Sequence, residues 1–218
     1  NEGDTVIVEL PSFIGATNCF RSHGAKLIGV EVESDGMNLD MLEKAIAEND
    51  NIKLIYTIPT FQNPMGVTMS IEKRRRLYEI AKKNNIVILE DNPYGELTFD
   101  GVKVPTIKSM DTDGLVIYAG SFSKVLAPAM RVGFCIAPAP VIQKMVVCKQ
   151  VSDVHTQMWS QIITHEFMTK CDYAAHLEKI RAIYREKAKK AQEFIDKYIV
   201  VYYTVYDELK SKLKCYYI

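Results

Sequence analysis

Apolar positions along this chain fall into two alternating registers, short β-branched runs and longer stretches at helical spacing. Thr5-Val6-Ile7-Val8-Glu9 predicts a strand, and the stretch from Gly15 to Ser22 predicts a helix. A second strand is expected from Ala25 to Val32, closed by a turn at Asp35-Gly36. Leu39, Leu42, Ala45 and Ile46 recur one helical turn apart. Ile52 to Ile58 predicts a third strand, followed by a loop built from Pro59, Asn63, Pro64 and Gly66. Ser70 suits the N-cap of a helix running to about Lys83, with Glu72 placed favourably in its first turn.

Ile86-Val87-Ile88-Leu89 is a nearly pure apolar strand that ends at Glu90-Asp91. Leu115-Val116-Ile117-Tyr118 repeats the design and runs into Gly120-Ser121-Phe122-Ser123-Lys124, and Gly133 to Ala137 is the last clear strand. Continuous apolar strands separated by helices imply a mostly parallel sheet covered on both faces, a three-layer α/β/α fold. Ligands bind such sheets beyond the carboxyl ends of the strands. After Pro138 the pattern turns helical, and a charged stretch from about Asp172 to Lys197 carries Leu177, Ile180, Ile183 and Tyr184 on one stripe. From Tyr198 onward the chain changes character, with tyrosines crowded among Val and Lys, and fits no ordinary domain.

Composition narrows the partners. Of 218 residues, 48% are hydrophobic, enough for a substantial core, and 27 basic residues balance 27 acidic ones. Nucleic acid and anionic membrane both demand a positive excess, so neither is expected as a partner. The one dense basic run, Lys73-Arg74-Arg75-Arg76, is expected to be a solvated helix face. Five scattered cysteines without a CxxC or a Cys/His pair at ligand spacing suit a reducing compartment and no metal site. No signal peptide and no apolar run of bilayer length is visible, so the expected location is the cytoplasm.

The chemistry sits at strand ends. Lys124 follows a strand between two serines; it is either a surface lysine or, with a lowered pKa, an amine able to attack a carbonyl. Ser121, Ser123 and Arg131 together could bind phosphate, which a guanidinium grips through two parallel bonds; the plain alternative is a solvated turn. Asp91 ends an apolar strand, where a carboxylate is costly to bury without a cation such as a protonated pyridine nitrogen. It could instead cap the Asn92-Pro93 turn. Tyr94 either hydrogen-bonds a ring hydroxyl or packs, and Asn63 either donates to a phenolic oxygen or only shapes the Asn63-Pro64 turn.

Taken in order, Asn63-Pro64-x-Gly66, Asp91-x-Pro93-Tyr94, Ser121-x-Ser123-Lys124 and Arg131-x-Gly133 resemble the class I/II aminotransferases of fold type I. The likeness is greatest to the branch of 2-aminoadipate and kynurenine aminotransferases and of MocR-type regulators. It runs from the amino terminus to about Tyr198. The resemblance implies a pyridoxal 5'-phosphate enzyme that moves an amino group from an amino acid to a 2-oxo acid, as a homodimer. Lys124 would hold the cofactor and shuttle the proton, Asp91 would pair with the pyridine nitrogen, and Asn63 and Tyr94 would bind the phenolic oxygen. Ser121, Ser123 and Arg131 would bind the phosphate. Phe13, in Pro11-Ser12-Phe13-Ile14-Gly15, matches the aromatic that stacks on the ring.

The same family places a phosphate-binding turn before the strand at Thr5 and, later, a small domain with an arginine that grips the substrate carboxylate. Neither is visible in this sequence. The expectation is therefore an incomplete cofactor-binding large domain over 1–198, an atypical tail over 199–218, and weak activity in isolation. Two rivals share the pocket: the effector-sensing domain of a MocR-type regulator, and a pyridoxal phosphate enzyme with another reaction, such as a C–S lyase.

Overall fold

The computed structural model describes residues 2–99 and 104–198, and the expected tail from 199 to 218 lies outside the described residues. Contacts divide the chain into two units, Asn1–Glu96 with Lys103–Cys171, and Leu97–Val102 with Asp172–Ile218.

The first unit is built on seven strands: β1 (Thr5–Leu10), β2 (Lys26–Glu33), β3 (Gly36–Met37), β4 (Ile52–Thr57), β5 (Val87–Asp91), β6 (Val116–Ser121) and β7 (Gly133–Ile136). They lie in the order β3-β2-β1-β4-β5-β6-β7. The inner pairings are parallel, whereas β3 on β2 and β7 on β6 are antiparallel. The expected turn at Asp35-Gly36 therefore extends into a two-residue edge strand, with Val32 opposite Met37. The order reverses between β1 and β4, and the chain around that point opens a crevice at the strands' carboxyl ends.

Alternation along β1 divides the core. Ile7 faces a cluster with Leu39, Leu42, Leu77, Ile80 and Ile88. These come partly from helices α2 (Leu39–Glu48) and α3 (Ile71–Asn84). Val6 and Val8 face the other way, to Tyr56, Ile58, Ala16 and Phe20, the last two on helix α1 (Ile14–Ser22). Helices on both faces give the three layers expected from apolar strands. The helix starts follow their side chains: Asn38 accepts from the Met41 N–H at 2.9 Å, and Ser70 from the Lys73 N–H at 3.3 Å. Asn85 ends α3 in the left-handed region at φ 52°, which asparagine tolerates.

The basic run of α3 departs from expectation. Only Arg75 and Arg76 are exposed, and Arg76 pairs with Asp40 at 2.5 Å and Glu43 at 2.6 Å. Lys73 pairs with Glu33 and, at 2.7 Å, with Asp35. Arg74 is wholly buried. Its guanidinium donates to the carbonyls of Met69 (3.0 Å), Pro105 (3.1 Å) and Pro59 (2.7 Å) and to Thr60 Oγ1 (3.0 Å). The reason is geometric: every fourth position of α3 faces the sheet, and Arg74 falls on the stripe of Leu77, Tyr78 and Ala81.

Helices α4 (Ala139–Ser152) and α5 (Met158–Lys170) complete this unit, with Val151 and Trp159 exposed. In the second unit, α6 (Tyr173–Tyr198) carries a stripe that is only partly covered: Leu177 is buried, while Ile183 and Tyr184 are exposed. Arg185 donates to the Phe99 carbonyl within that unit. No helix among the described residues is long and apolar enough to cross a membrane. No group of three or more described His, Cys, Asp or Glu residues could hold a metal ion.

Candidate active site

A cavity of about 320 Å³ opens at the carboxyl ends of β1, β4, β5 and β6. All the residues singled out from the sequence line it. Phe13 comes from the start of α1, Asn63 from the loop after β4, and Asp91 and Tyr94 from the end of β5. Ser121, Ser123 and Lys124 come from the end of β6, and Arg131 from the turn that leads into β7. Ile58 and Pro93 complete the wall. Residues far apart in the chain meet here because parallel strands all point the same way and deliver their ends to one edge.

The donors are unspent. Among the described residues, the Asn63 amide, the Lys124 Nζ and the Tyr94 hydroxyl find no hydrogen-bond partner. Arg131 uses one nitrogen, donating to the Pro128 carbonyl at 3.2 Å. Its backbone is left-handed, φ 54°, which is uncommon for a residue with a Cβ and marks a position over-determined by its surroundings. Ser121 Oγ accepts from the Ser123 N–H at 3.1 Å, tightening the turn that presents Lys124.

The acceptor is Asp91. Burial pushes its carboxyl up from the usual range, and a hydrogen bond from Tyr56 Oη at 2.7 Å opposes that. Tyr56 is 1% exposed; burial, then the Asp91 charge, hold its phenol far above the ordinary value, so it remains a donor. Phe20 packs edge-on against it, ring centroids 5.6 Å apart. A half-buried carboxylate with one tyrosine donor, facing Asn63, Lys124, Tyr94 and Arg131 across a cavity walled by Phe13, Ile58 and Pro93, suits a flat ligand with a cationic ring nitrogen and an anionic arm.

Tyr56, Glu9, Gln62 and Arg74 were not foreseen from the sequence. Glu9 carries the signal already applied to Asp91, a carboxylate at the end of an apolar strand. Tyr56 carries none, since a tyrosine in a strand reads as core.

A family model described as aminotransferase class I and II matches residues 1–202. The aromatic-amino-acid aminotransferase 1 of Thermococcus litoralis is 39% identical over 191 residues, covering 86% of this chain and 46% of that protein. A crystal structure of Pyrococcus horikoshii kynurenine aminotransferase, in complex with PMP, superposes with a TM-score of 0.88 at 34% identity, over 91% of this chain and 50% of that one. The α-aminoadipate aminotransferase LysN from Thermus thermophilus, complexed with N-(5'-phosphopyridoxyl)-L-leucine, gives 0.86 at 36% identity, over 90% of this chain and 51% of that one. The chain spans about half the length of these relatives.

Proposed function

The chain belongs to the class I and II aminotransferases, and from that premise we propose that its cavity holds pyridoxal 5'-phosphate and serves amino-group transfer from an amino acid to a 2-oxo acid. The observation that carries the reading is that donors with bonds to spare and one half-buried carboxylate, drawn from the ends of β4, β5 and β6 and the turn before β7, line a single cavity. They fit the group. Asp91 supplies the counter-charge for a ring nitrogen, and Arg131 with Ser121 and Ser123 supplies the donors for a phosphate.

When bound, the cofactor supplies an electron-poor ring that stabilises negative charge developing at the substrate carbon. Lys124 Nζ would hold the cofactor, and as the amine in the cavity it would be the group to take up and return the substrate proton. Asp91 would keep the ring nitrogen charged, and Tyr56, bonded to it at 2.7 Å, keeps Asp91 aimed. Asn63 and Tyr94 would donate to the phenolic oxygen, while Phe13 would pack on the ring and exclude water. Residues 1–198 are read as the cofactor-binding domain, a reading supported by the family match over residues 1–202, and the lining residues all fall in the first unit.

Assembly as a homodimer belongs to the same proposal, supported by Leu10 and Ile14, apolar neighbours of Phe13 that are 56% and 64% exposed. A cytoplasmic location is supported by the free thiols of Cys19, Cys135, Cys148 and Cys171. The test is spectroscopic. Pyridoxal phosphate added to the protein should give a visible absorbance band that Lys124→Ala abolishes. No band, or a band that survives the substitution, would sink the assignment.

A further inference from the structure

A polar cluster of Glu9, Thr57 and Gln62 stands outside the roles just given. Glu9 is 1% exposed, and three donors converge on its carboxylate: Thr57 Oγ1 at 2.6 Å, the Ile58 N–H at 3.1 Å and Gln62 Nε2 at 3.0 Å. Gln62, 3% exposed, also donates from Nε2 to the Pro11 carbonyl at 2.9 Å and accepts at Oε1 from the Met65 N–H at 2.8 Å. One amide therefore grips the loop on both sides of Asn63 and reaches the segment that carries Phe13. Phe61, just before it, is left-handed at φ 49°, so the loop's path is not one the backbone would choose unaided. Neither Glu9 nor Gln62 lines the cavity.

A carboxylate this deep is expensive, and an apolar side chain of the same volume would fill the space at lower cost. What the apolar replacement would lack is the set of bonds to the loop. We propose that Glu9 and Gln62 are positioning residues, whose hydrogen bond fixes the Asn63 loop so that the Asn63 amide meets the phenolic oxygen of the cofactor. The inference rests on reading the cavity as a pyridoxal phosphate site.

A donor to the phenolic oxygen favours its anionic form, so losing that donor raises the pH at which the visible band changes form. The experiment follows that band against pH in the full chain loaded with pyridoxal phosphate. It compares the unmutated protein, Asn63→Ala, Glu9→Gln, Gln62→Leu and the double variant Glu9→Gln/Asn63→Ala. Asn63→Ala should move the midpoint up by about one pH unit, the scale of one charge-assisted hydrogen bond. Glu9→Gln keeps one acceptor oxygen and puts an N–H donor in place of the other, which breaks up the three-donor cluster, so it should move the midpoint the same way. Gln62→Leu keeps the apolar bulk and carries the same expectation should Glu9→Gln fail to fold. The double variant should shift no further than Asn63→Ala alone, because both act through one contact. A role limited to stability would lower the melting temperature and leave the midpoint in place, and that result overturns the proposal. So does an additive shift in the double variant. No band in the unmutated protein overturns the reading of the cavity, and the inference with it; a band with unmoved midpoints overturns the positioning role alone.

Discussion

Arg74→Met is expected to carry a large stability cost. The methionine fills most of the volume but cannot donate, so the carbonyls of Met69, Pro59 and Pro105 lose their guanidinium partner inside the protein. The Thr60 hydroxyl can turn elsewhere, so it counts for little. Each buried acceptor left unpaired costs about 1–3 kcal/mol, less where water enters; the Pro59 carbonyl keeps the Met69 N–H at 2.8 Å, so the cost falls mainly on Met69 and Pro105. Glu90, 0% exposed, also loses an opposing charge, although the Ile107 and Lys108 N–H groups still bond it at 3.0 and 2.8 Å. A total of about 4 kcal/mol follows, within the range for breaking a buried charge network. For a chain of this size that is a fall in melting temperature of about 8–16 °C. Arg74→Lys keeps the charge but not the fork, and should lose about half as much. Arg75→Met, on the exposed side of the same helix, should stay within about 0.5 kcal/mol. Urea unfolding read by far-ultraviolet circular dichroism is the assay, because the single tryptophan, Trp159, is 71% exposed and a poor reporter. A loss below about 1 kcal/mol for Arg74→Met, or one no larger than for Arg75→Met, would refute the account of Arg74 as the anchor of this loop.

Two further outcomes follow. Asp111 has its carboxyl lowered from 3.8 to about 2: burial raises it, but Lys108 and the N–H groups of Leu115 and Val116 more than offset that. A folded-state pKa below the unfolded one gives stability that is present above pH 3.8 and lost as pH falls toward 2. Asp111→Asn should therefore remove about 1–2 kcal/mol of acid sensitivity in that window, seen as a flatter urea midpoint against pH; an unchanged slope would contradict it. Gly15→Ala would place a Cβ 2.6 Å from the Phe13 ring, which is free enough at 40% exposure to swing aside. Pyridoxal phosphate binding should weaken several-fold while the melting temperature of the cofactor-free protein holds or rises slightly, alanine being the better helix former by about 1 kcal/mol. Undiminished binding in a cofactor titration would show that Phe13 does not cover the ring.

The parts of this protein written in local pattern were legible in its sequence. β5 and β6 are apolar runs with a polar residue at the end, and short β-branched runs of that kind suit interior strands of a parallel sheet. Asp91 and Lys124 stood out because they ended those runs, and Ser70 because it preceded a helical period. Arg74 was not legible in this way. A run of four basic residues looks solvated until the helix phase is counted, and even then nothing local says that Pro59, Met69 and Pro105 will bring their carbonyls to it. The Glu9–Gln62 bond has the same character, since it joins β1 to a loop 53 positions away. Long-range polar partners leave no period in the sequence. The antiparallel directions of β3 and β7 were likewise invisible, because direction depends on the connection rather than on the strand.

A loop held from one side by Arg74 and from the other by Glu9 is already ordered before any ligand arrives. Association that must first order a segment is slowed by the wait for it and weakened by the entropy lost. Here that ordering was completed when the chain folded. What still moves at the cavity is its rim, the exposed side chains of Phe13, Lys124 and Arg131, which reorient in picoseconds to nanoseconds. A ligand therefore meets a floor already in place, behind a rim of side chains that reorients quickly.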